Sequence, residues 1–327
     1  MHSRKLGKDG FSVSEVGLGC WQLGADWGAA VAEEAGLAIL ETALEKGVTF
    51  FDTANVYGDG KSESLIGKFL KGKDSPNIRV ATKFGRGDVY PNGYTEQSLR
   101  AGIDASRKRL GMDSLDLVQL HCIPTEVMRQ GAIFDWLRAL QSEGVIKHFG
   151  ASVETVEEGL MCIEQEGLLS LQVIYNIFRQ KLTDELLPQA KAKGVGIIVR
   201  LPLASGILSG KFTVDTKFAE NDHRNFNRDG QFFNVGETFA GLPYEKGLEL
   251  VEELKAMLPE GMSMADMAQR WILDHDAVST IIPGASRPEQ IGRNAVISDL
   301  SPLPQQLHDD LISFYQEKVA QHVRGAY

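Results

Sequence analysis

The chain has 327 residues, 43% of them hydrophobic and 24% charged, which excludes a disordered protein and leaves room for one large barrel or two ordinary domains. Its formal net charge of −10 excludes general attraction to nucleic acid or to an anionic membrane, so an anionic ligand needs its own basic pocket. Three scattered cysteines (Cys20, Cys122, Cys162), no signal peptide behind Met1 and no apolar run of about 18 residues point to a cytoplasmic protein without a membrane span.

Residues 4–14 read as a hairpin turning at Asp9-Gly10. Eight short apolar runs follow, each a strand candidate: Val16–Gly19, Val48–Phe51, Ile78–Thr82, Leu115–Leu120, Val145–Gly150, Leu171–Tyr175, Val195–Val199 and Val278–Ile282. Amphipathic helix patterns lie between most of them, over 31–46, 62–71, 95–110, 131–143, 153–166, 183–193 and 288–298. Ser62, Thr95 and Thr183-Asp184-Glu185 suit helix N-termini; Gly47, Gly111, Gly144, Gly167 and Gly194 fall just past helix ends, where a left-handed residue is wanted. This alternation predicts a single (β/α)8 TIM barrel over 1–327, with an N-terminal β-hairpin and extra C-terminal helices.

A doubly wound sheet would want a glycine-rich dinucleotide turn after its first strand, and Gly17-Leu18-Gly19-Cys20-Trp21-Gln22-Leu23-Gly24 has its third glycine in the wrong place. Gly58-Asp59-Gly60-Lys61-Ser62 resembles the end of a phosphate loop, but Asn55 stands where that motif begins with glycine. The connection from Val199 to Val278 is long: a polar stretch, Lys211 to Pro243, then helix patterns over 244–258 and 263–275. Such a segment after the seventh barrel strand is expected to overhang the active rim. A last helix is expected from Leu303 to Val323.

Four polar residues sit at or just past three consecutive strand ends: Asp52 and Tyr57 after the second strand, Lys83 after the third and His121 after the fourth. In a barrel all four converge on one rim. A carbonyl that receives hydride builds negative charge on oxygen and needs a proton. Tyr57 can supply it, Lys83 can lower the phenol's pKa, Asp52 can hold the lysine, and His121 can hydrogen-bond the substrate oxygen. Each has a plain structural alternative, an Asp–Lys ion pair or a hydrogen-bonded histidine; it is the four together that favour chemistry. No zinc motif is present among them, and none of the four stores a hydride, so a redox reaction needs a cofactor.

On these residues the chain resembles the aldo-keto reductase superfamily. Phe51-Asp52-Thr53-Ala54-x-x-Tyr57-Gly58 with Ser62-Glu63, then Ala81-Thr82-Lys83 and Leu120-His121, match its tetrad motifs; Ser209-Gly210-Lys211 and Ile282-Pro283-Gly284-Ala285-Ser286 match later ones. The Pro283-Gly284 version looks closer to the bacterial and potassium-channel β-subunit branches than to aldose reductase. The resemblance implies reduction of aldehydes or ketones by NADP(H), with Tyr57 as general acid. Ser152 and Gln172 correspond to carboxamide contacts, and Arg200, Pro202, Leu203, Ser205 and Gly206 to the segment flanking nicotinamide and pyrophosphate. Gly19 and Trp21 lie on the same rim, with Trp21 a substrate wall or a plug. Gly284, Ser286, Gln290 and Asn294 correspond to the adenosine end, and Lys211 and Arg224 are candidates to close over the pyrophosphate. Ser286, Arg287 and Gln290 favour NADPH over NADH by offering a 2′-phosphate helix N–H groups and a guanidinium.

Two departures stand out. Val153 replaces the asparagine that usually follows the serine, and Arg200 replaces the ring that usually stacks on nicotinamide; a bare guanidinium there is expected to favour the reduced cofactor. Tyr90, Trp27 and Phe84 are further wall candidates. Cys20 and Cys122 lie at strand ends near the site, and Cys122 is either inert packing or open to modification by reactive aldehydes. Two other functions remain. One is a nicotinamide-binding regulatory subunit with slow turnover, against which His121 and the short N-terminus speak. The other is a lyase using Lys83 for a Schiff base, which Asp52 disfavours by keeping the lysine charged. The small carbonyl substrate and the oligomeric state are not legible.

Overall fold

The computed structural model describes residues 1–24, 31–73 and 77–327. Strands β1 (Ser3–Lys5) and β2 (Ser12–Ser14) form the expected antiparallel hairpin, with Arg4 opposite Val13. Eight parallel strands follow in sequence order: β3 (Leu18–Gly19), β4 (Phe50–Asp52), β5 (Arg79–Phe84), β6 (Leu115–His121), β7 (Ile146–Ser152), β8 (Leu168–Ile174), β9 (Gly196–Arg200) and β10 (Val278–Ile281). The sheet closes between its first and last strands. Parallel bridges join Val16 to Ile281 and Gly19 to Gly284, and the amides of Gly17 and Gly19 donate to the carbonyls of Ile281 (2.8 Å) and Pro283 (3.1 Å). Gly19 is required there, since a Cβ would lie 2.7 Å from the Ile282 carbonyl oxygen. The fold is thus the (β/α)8 barrel that the alternation predicts.

The barrel interior is layered. Phe50, Ala81, Leu117, Leu169, Ile198 and Ile282 fill its lower part together with Leu6 and Val13 of the hairpin. The hairpin is a lid on that end: Lys8 N donates to Gly194 O at 2.7 Å, and Arg4 donates to the carbonyls of Leu273 (2.6 Å) and Val278 (2.8 Å). Side chains alternate along a strand, so the residue two further on faces the same way. Asp52 follows Phe50, Lys83 follows Ala81, Gln119 and His121 follow Leu117, and Arg200 follows Ile198. The interior therefore turns from apolar to polar within one pleat, and the polar layer is the upper rim.

Helices cover the outside, and Thr95 caps Glu96–Leu110 as expected: its Oγ accepts from Ser98 N at 3.0 Å, and Ser98 Oγ accepts from Thr95 N at 3.0 Å. Thr95→Ala should lower unfolding free energy by about 1 kcal/mol in urea titration without changing the active rim. The other two N-termini also fall where expected, at Lys61 and after Glu185, but without side-chain caps: Ser62 is buried in the first turn and donates to Cys20 O at 2.8 Å, and Glu185 at the N-cap makes no capping hydrogen bond. All five helix-ending glycines have positive φ. Several boundaries differ from expectation: β8 starts at Leu168, Asp52, Lys83 and His121 lie within β4, β5 and β6, an unexpected short helix Thr125–Gln130 precedes the fourth expected helix, Ala132–Ser142, and the last helix is regular only over Gln305–Phe314. No helix among the described residues is long and apolar enough to cross a membrane.

Candidate active site

Lys83 is the centre of the rim. It is 2% exposed, and its ammonium has three donors to place. Nζ lies 2.5 Å from Asp52 Oδ2, 2.8 Å from Thr53 O and 3.1 Å from Tyr57 Oη. The ammonium is thereby saturated, and the phenol oxygen accepts one of its protons. The Tyr57 hydroxyl must then direct its own proton elsewhere, and the phenol is the half-buried member of the group. The His121 ring stands edge-on to Tyr57 with centroids 6.0 Å apart. All four residues singled out by strand position therefore come together.

The second oxygen of Asp52 is held by two amides that the sequence reading did not place there. Gln119 Nε2 donates to Oδ1 at 3.0 Å and Gln172 Nε2 at 2.7 Å. The signal for Gln119 was available: a polar residue inside an apolar run, two before His121 and so on the same face. Gln172 is reached through register, because His121 pairs with Ser152 and Ser152 with Gln172. Gln172, expected to contact a carboxamide, here has a structural duty toward Asp52, while Ser152 Oγ lies 3.5 Å from Cys122 Sγ.

Burial pushes the Tyr57 phenol up, and this outweighs the lowering by Lys83; the net direction is opposite to that expected from the lysine alone. Burial pulls the Lys83 ammonium down, but Asp52 and the Tyr57 oxygen outweigh it and hold it protonated. His121 is pushed well below the usual imidazole range by burial and by the cations Lys83, Arg86 and Arg200, so it is neutral. Burial raises the Cys122 and Cys20 thiols, which makes both poor nucleophiles.

Beside His121 lies a charged group that spacing did not foretell. Arg86 donates to His121 O at 3.1 Å and to Glu154 at 3.4 Å; Arg200 donates to Glu237, to Val153 O at 3.3 Å and to Cys122 Sγ at 3.7 Å. Cys122, Glu154 and Glu237 place potential metal-ligand atoms within 4.8 Å of one another, but Arg86 and Arg200 already engage the two carboxylates, so the group reads as ion pairs.

The long connection overhangs the rim as expected. Its His223 meets the Trp21 ring edge-on at 5.7 Å and lies 3.4 Å from Ser205 Oγ. Leu201, Ala204 and Ser205 all have positive φ, as does Cys122, an unusual concentration of left-handed non-glycine residues around one mouth. Pro202 is buried, Leu203 half-buried, and Gly206 turns with φ +91° beside Arg224. Ser205 Oγ donates to Glu237 O at 2.9 Å and accepts from Phe239 N at 3.2 Å, so it braces the connection. Arg224 pairs with Asp222 at 2.6 Å over the Phe218 ring, and Lys211 is exposed. Gly284 packs on Gln22: a Cβ would meet that amide at 2.3 Å. The amides of Ser286 (2.8 Å) and Arg287 (3.1 Å), expected to meet a phosphate, donate to Gln290 Oε1, which caps its own helix. Arg287, Glu289, Gln290 and Arg293 line a surface cavity of about 300 Å³, and Asn294 is half-buried one turn on. Trp27 lies outside the described residues.

Among the described residues, buried polar atoms without a partner include His121 Nδ1, Arg200 Nε, Asn55 Oδ1 and Gln22 Oε1 at this mouth, and Arg107 Nε, Ser170 Oγ, Gln269 Oε1 and Trp271 Nε1 away from it. Buried polar atoms are normally paired, so those at the mouth fit a polar guest.

The Aldo/keto reductase family model matches residues 15–316. The chain is 28% identical to a probable aldo-keto reductase 1 of Glycine max over 299 residues, covering 89% of this chain and 82% of that one. It is 30% identical to a probable voltage-gated potassium channel subunit beta of Oryza sativa subsp. japonica over 323 residues, 93% of each chain. The holo form of aldo-keto reductase AKR11C1 from Bacillus halodurans superposes with a TM-score of 0.77 at 25% identity, over 96% of each chain. A channel β subunit and a bacterial reductase are the two branches to which Pro283-Gly284 pointed.

Proposed function

The chain belongs to the aldo/keto reductase family, and from that premise we propose that it is an NADPH-dependent reductase of small aldehydes and ketones, working in the cytoplasm, with Tyr57 as the general acid. The observation that carries this reading is the saturated Lys83 ammonium, which makes the Tyr57 oxygen an acceptor and leaves the phenol proton for a guest. The polar atoms left without partners at the mouth fit a nucleotide and its substrate. Arg287 and Arg293 around Gln290 fit a 2′-phosphate, which supports NADPH over NADH.

When bound, the nicotinamide supplies the hydride. The protein's own part is the proton. Tyr57 donates its hydroxyl hydrogen to the substrate oxygen as negative charge develops there, and Lys83 stabilises the phenolate left behind. Asp52 keeps the ammonium in place, and Gln119 and Gln172 keep Asp52 in place. Neutral His121 donates one hydrogen bond to the same oxygen without competing for its proton. Ser152 and Gln172 at the ends of β7 and β8, Arg200 and the Pro202–Gly206 turn at the end of β9, and Gly284, Ser286, Gln290 and Asn294 after β10 would hold the nucleotide, with Gly19 and Trp21 on the same mouth. Arg224 and Lys211 would close over it. A role as a channel subunit, as the rice relative is named, does not require a fully assembled proton donor, so the intact tetrad favours turnover.

Loss of NADPH absorbance against a panel of aldehydes, ketones and sugars tests the reading, and no oxidation with any of them would end it. The pH dependence carries its own sign. The acid must be protonated, its pKa is raised, and His121 is already neutral. The rate of reduction should therefore be flat through neutrality and fall only above about pH 10, the ordinary value for a phenol. A rate that drops between about pH 6 and 8 would instead implicate an imidazolium as acid.

A further inference from the structure

Arg200 lies at the end of β9, beside the proton-donating group, and its charge is felt at both Tyr57 and His121. It is not a bare cation. The long connection brings Glu237 to it on the short 3-10 turn Val235–Glu237, and the two form an ion pair. The turn is braced on two sides. Ser205 Oγ donates to Glu237 O at 2.9 Å, and Asn234 Oδ1 accepts from Gly236 N at 2.7 Å. The C-terminal residues hold the segment from outside: Arg324 donates to Gly241 O (2.9 Å), Asp229 (2.6 Å), Arg228 O (3.2 Å) and Leu242 O (3.2 Å). Arg179, 1% exposed, donates to Ala240 O at 3.4 Å and lies 4.2 Å from the centroid of the Tyr327 ring. Glu237 is thus delivered to a fixed place by a segment anchored at both faces.

Oxidation of a dihydronicotinamide creates one positive charge on the ring. A lone guanidinium beside that ring repels the oxidised form, whereas a guanidinium paired with a carboxylate is close to neutral at the same distance. The pairing removes the bare cation from which preference for the reduced cofactor was expected. We propose that Glu237 is the counter-charge that lets Arg200 tolerate the oxidised ring, so that the Arg200–Glu237 pair sets the ratio of affinities for NADP+ and NADPH. This rests on the cofactor use proposed above. Glu237 touches neither substrate nor hydride donor in this scheme; it acts through Arg200.

Calorimetric titration of the full-length protein with NADPH and with NADP+ tests the proposal without turnover. In the unsubstituted protein the two dissociation constants should agree within about threefold. Glu237→Gln should weaken NADP+ about tenfold relative to NADPH, because it exposes the ring to an unbalanced cation. Arg200→Gln should move the ratio in the opposite sense, since it leaves an unbalanced carboxylate, and the double variant should restore the original ratio. If Glu237→Gln does not fold, the Arg200→Gln and double variants still carry the test. An unchanged ratio in both single variants, or shifts in the same sense, overturns the proposal while leaving the cofactor assignment standing. Binding of neither nucleotide by the unsubstituted protein overturns both.

Discussion

Tyr57→Phe should slow carbonyl reduction by about 10²–10⁴-fold, the usual contribution of a positioned acid, while leaving NADPH affinity within about threefold of the original. The reason is local. The phenol oxygen accepts from Lys83 at 3.1 Å, so its proton has no other place in the tetrad. Phenylalanine keeps the ring and its edge-on packing against His121 at 6.0 Å but removes both the donor and the acceptor. Lys83 keeps Asp52 and Thr53 O, so the buried charge stays paired and the fold should hold. Stopped-flow reduction of one aldehyde, with nucleotide affinity measured separately, checks both halves of the expectation. A loss confined to binding would mean that Tyr57 shapes the cofactor site and does not deliver the proton.

Lys83→Met has a different signature. It should abolish measurable reduction and also destabilise the protein by about 3–5 kcal/mol, because Asp52 is left as a buried carboxylate without its cation. The amides of Gln119 and Gln172 still reach Oδ1, but they do not balance a charge. The double variant Asp52→Asn/Lys83→Met removes both charges and should recover much of the stability with none of the activity. Urea titration of the two single variants and the double variant measures the coupling. If the double variant were as unstable as Lys83→Met alone, the pair would not be what the lysine substitution breaks.

The barrel and the tetrad were legible because both rest on short-range rules. Alternation within a strand puts Asp52 above Phe50 and Lys83 above Ala81, and consecutive parallel strands place those side chains next to one another. Gln119 obeys the same rule and was readable in principle. Glu237 was not: 37 residues separate it from Arg200, and nothing in the spacing of an irregular connection says where it returns. The direction of the Tyr57 shift was missed for a related reason, since burial is a tertiary property and the lysine is visible from sequence while the depth of the site is not. Gln290 shows the reverse case, a residue matched to a ligand role whose side chain caps its own helix. The regular part of the last helix ends at Phe314, nine residues before the apolar pattern does, and the tail beyond it carries Arg324 against the long connection and Tyr327 against Arg179.

The account stands on Tyr57 protonating a substrate that takes hydride on the same rim. Its most direct test is a single-turnover reaction of the protein preloaded with NADPH dideuterated at the nicotinamide C4, with the alcohol product analysed by mass spectrometry. One deuterium on the carbinol carbon, and no alcohol on the same time scale from Tyr57→Phe, is the predicted result. An unlabelled alcohol, or labelled alcohol formed by Tyr57→Phe at the unsubstituted rate, would contradict it.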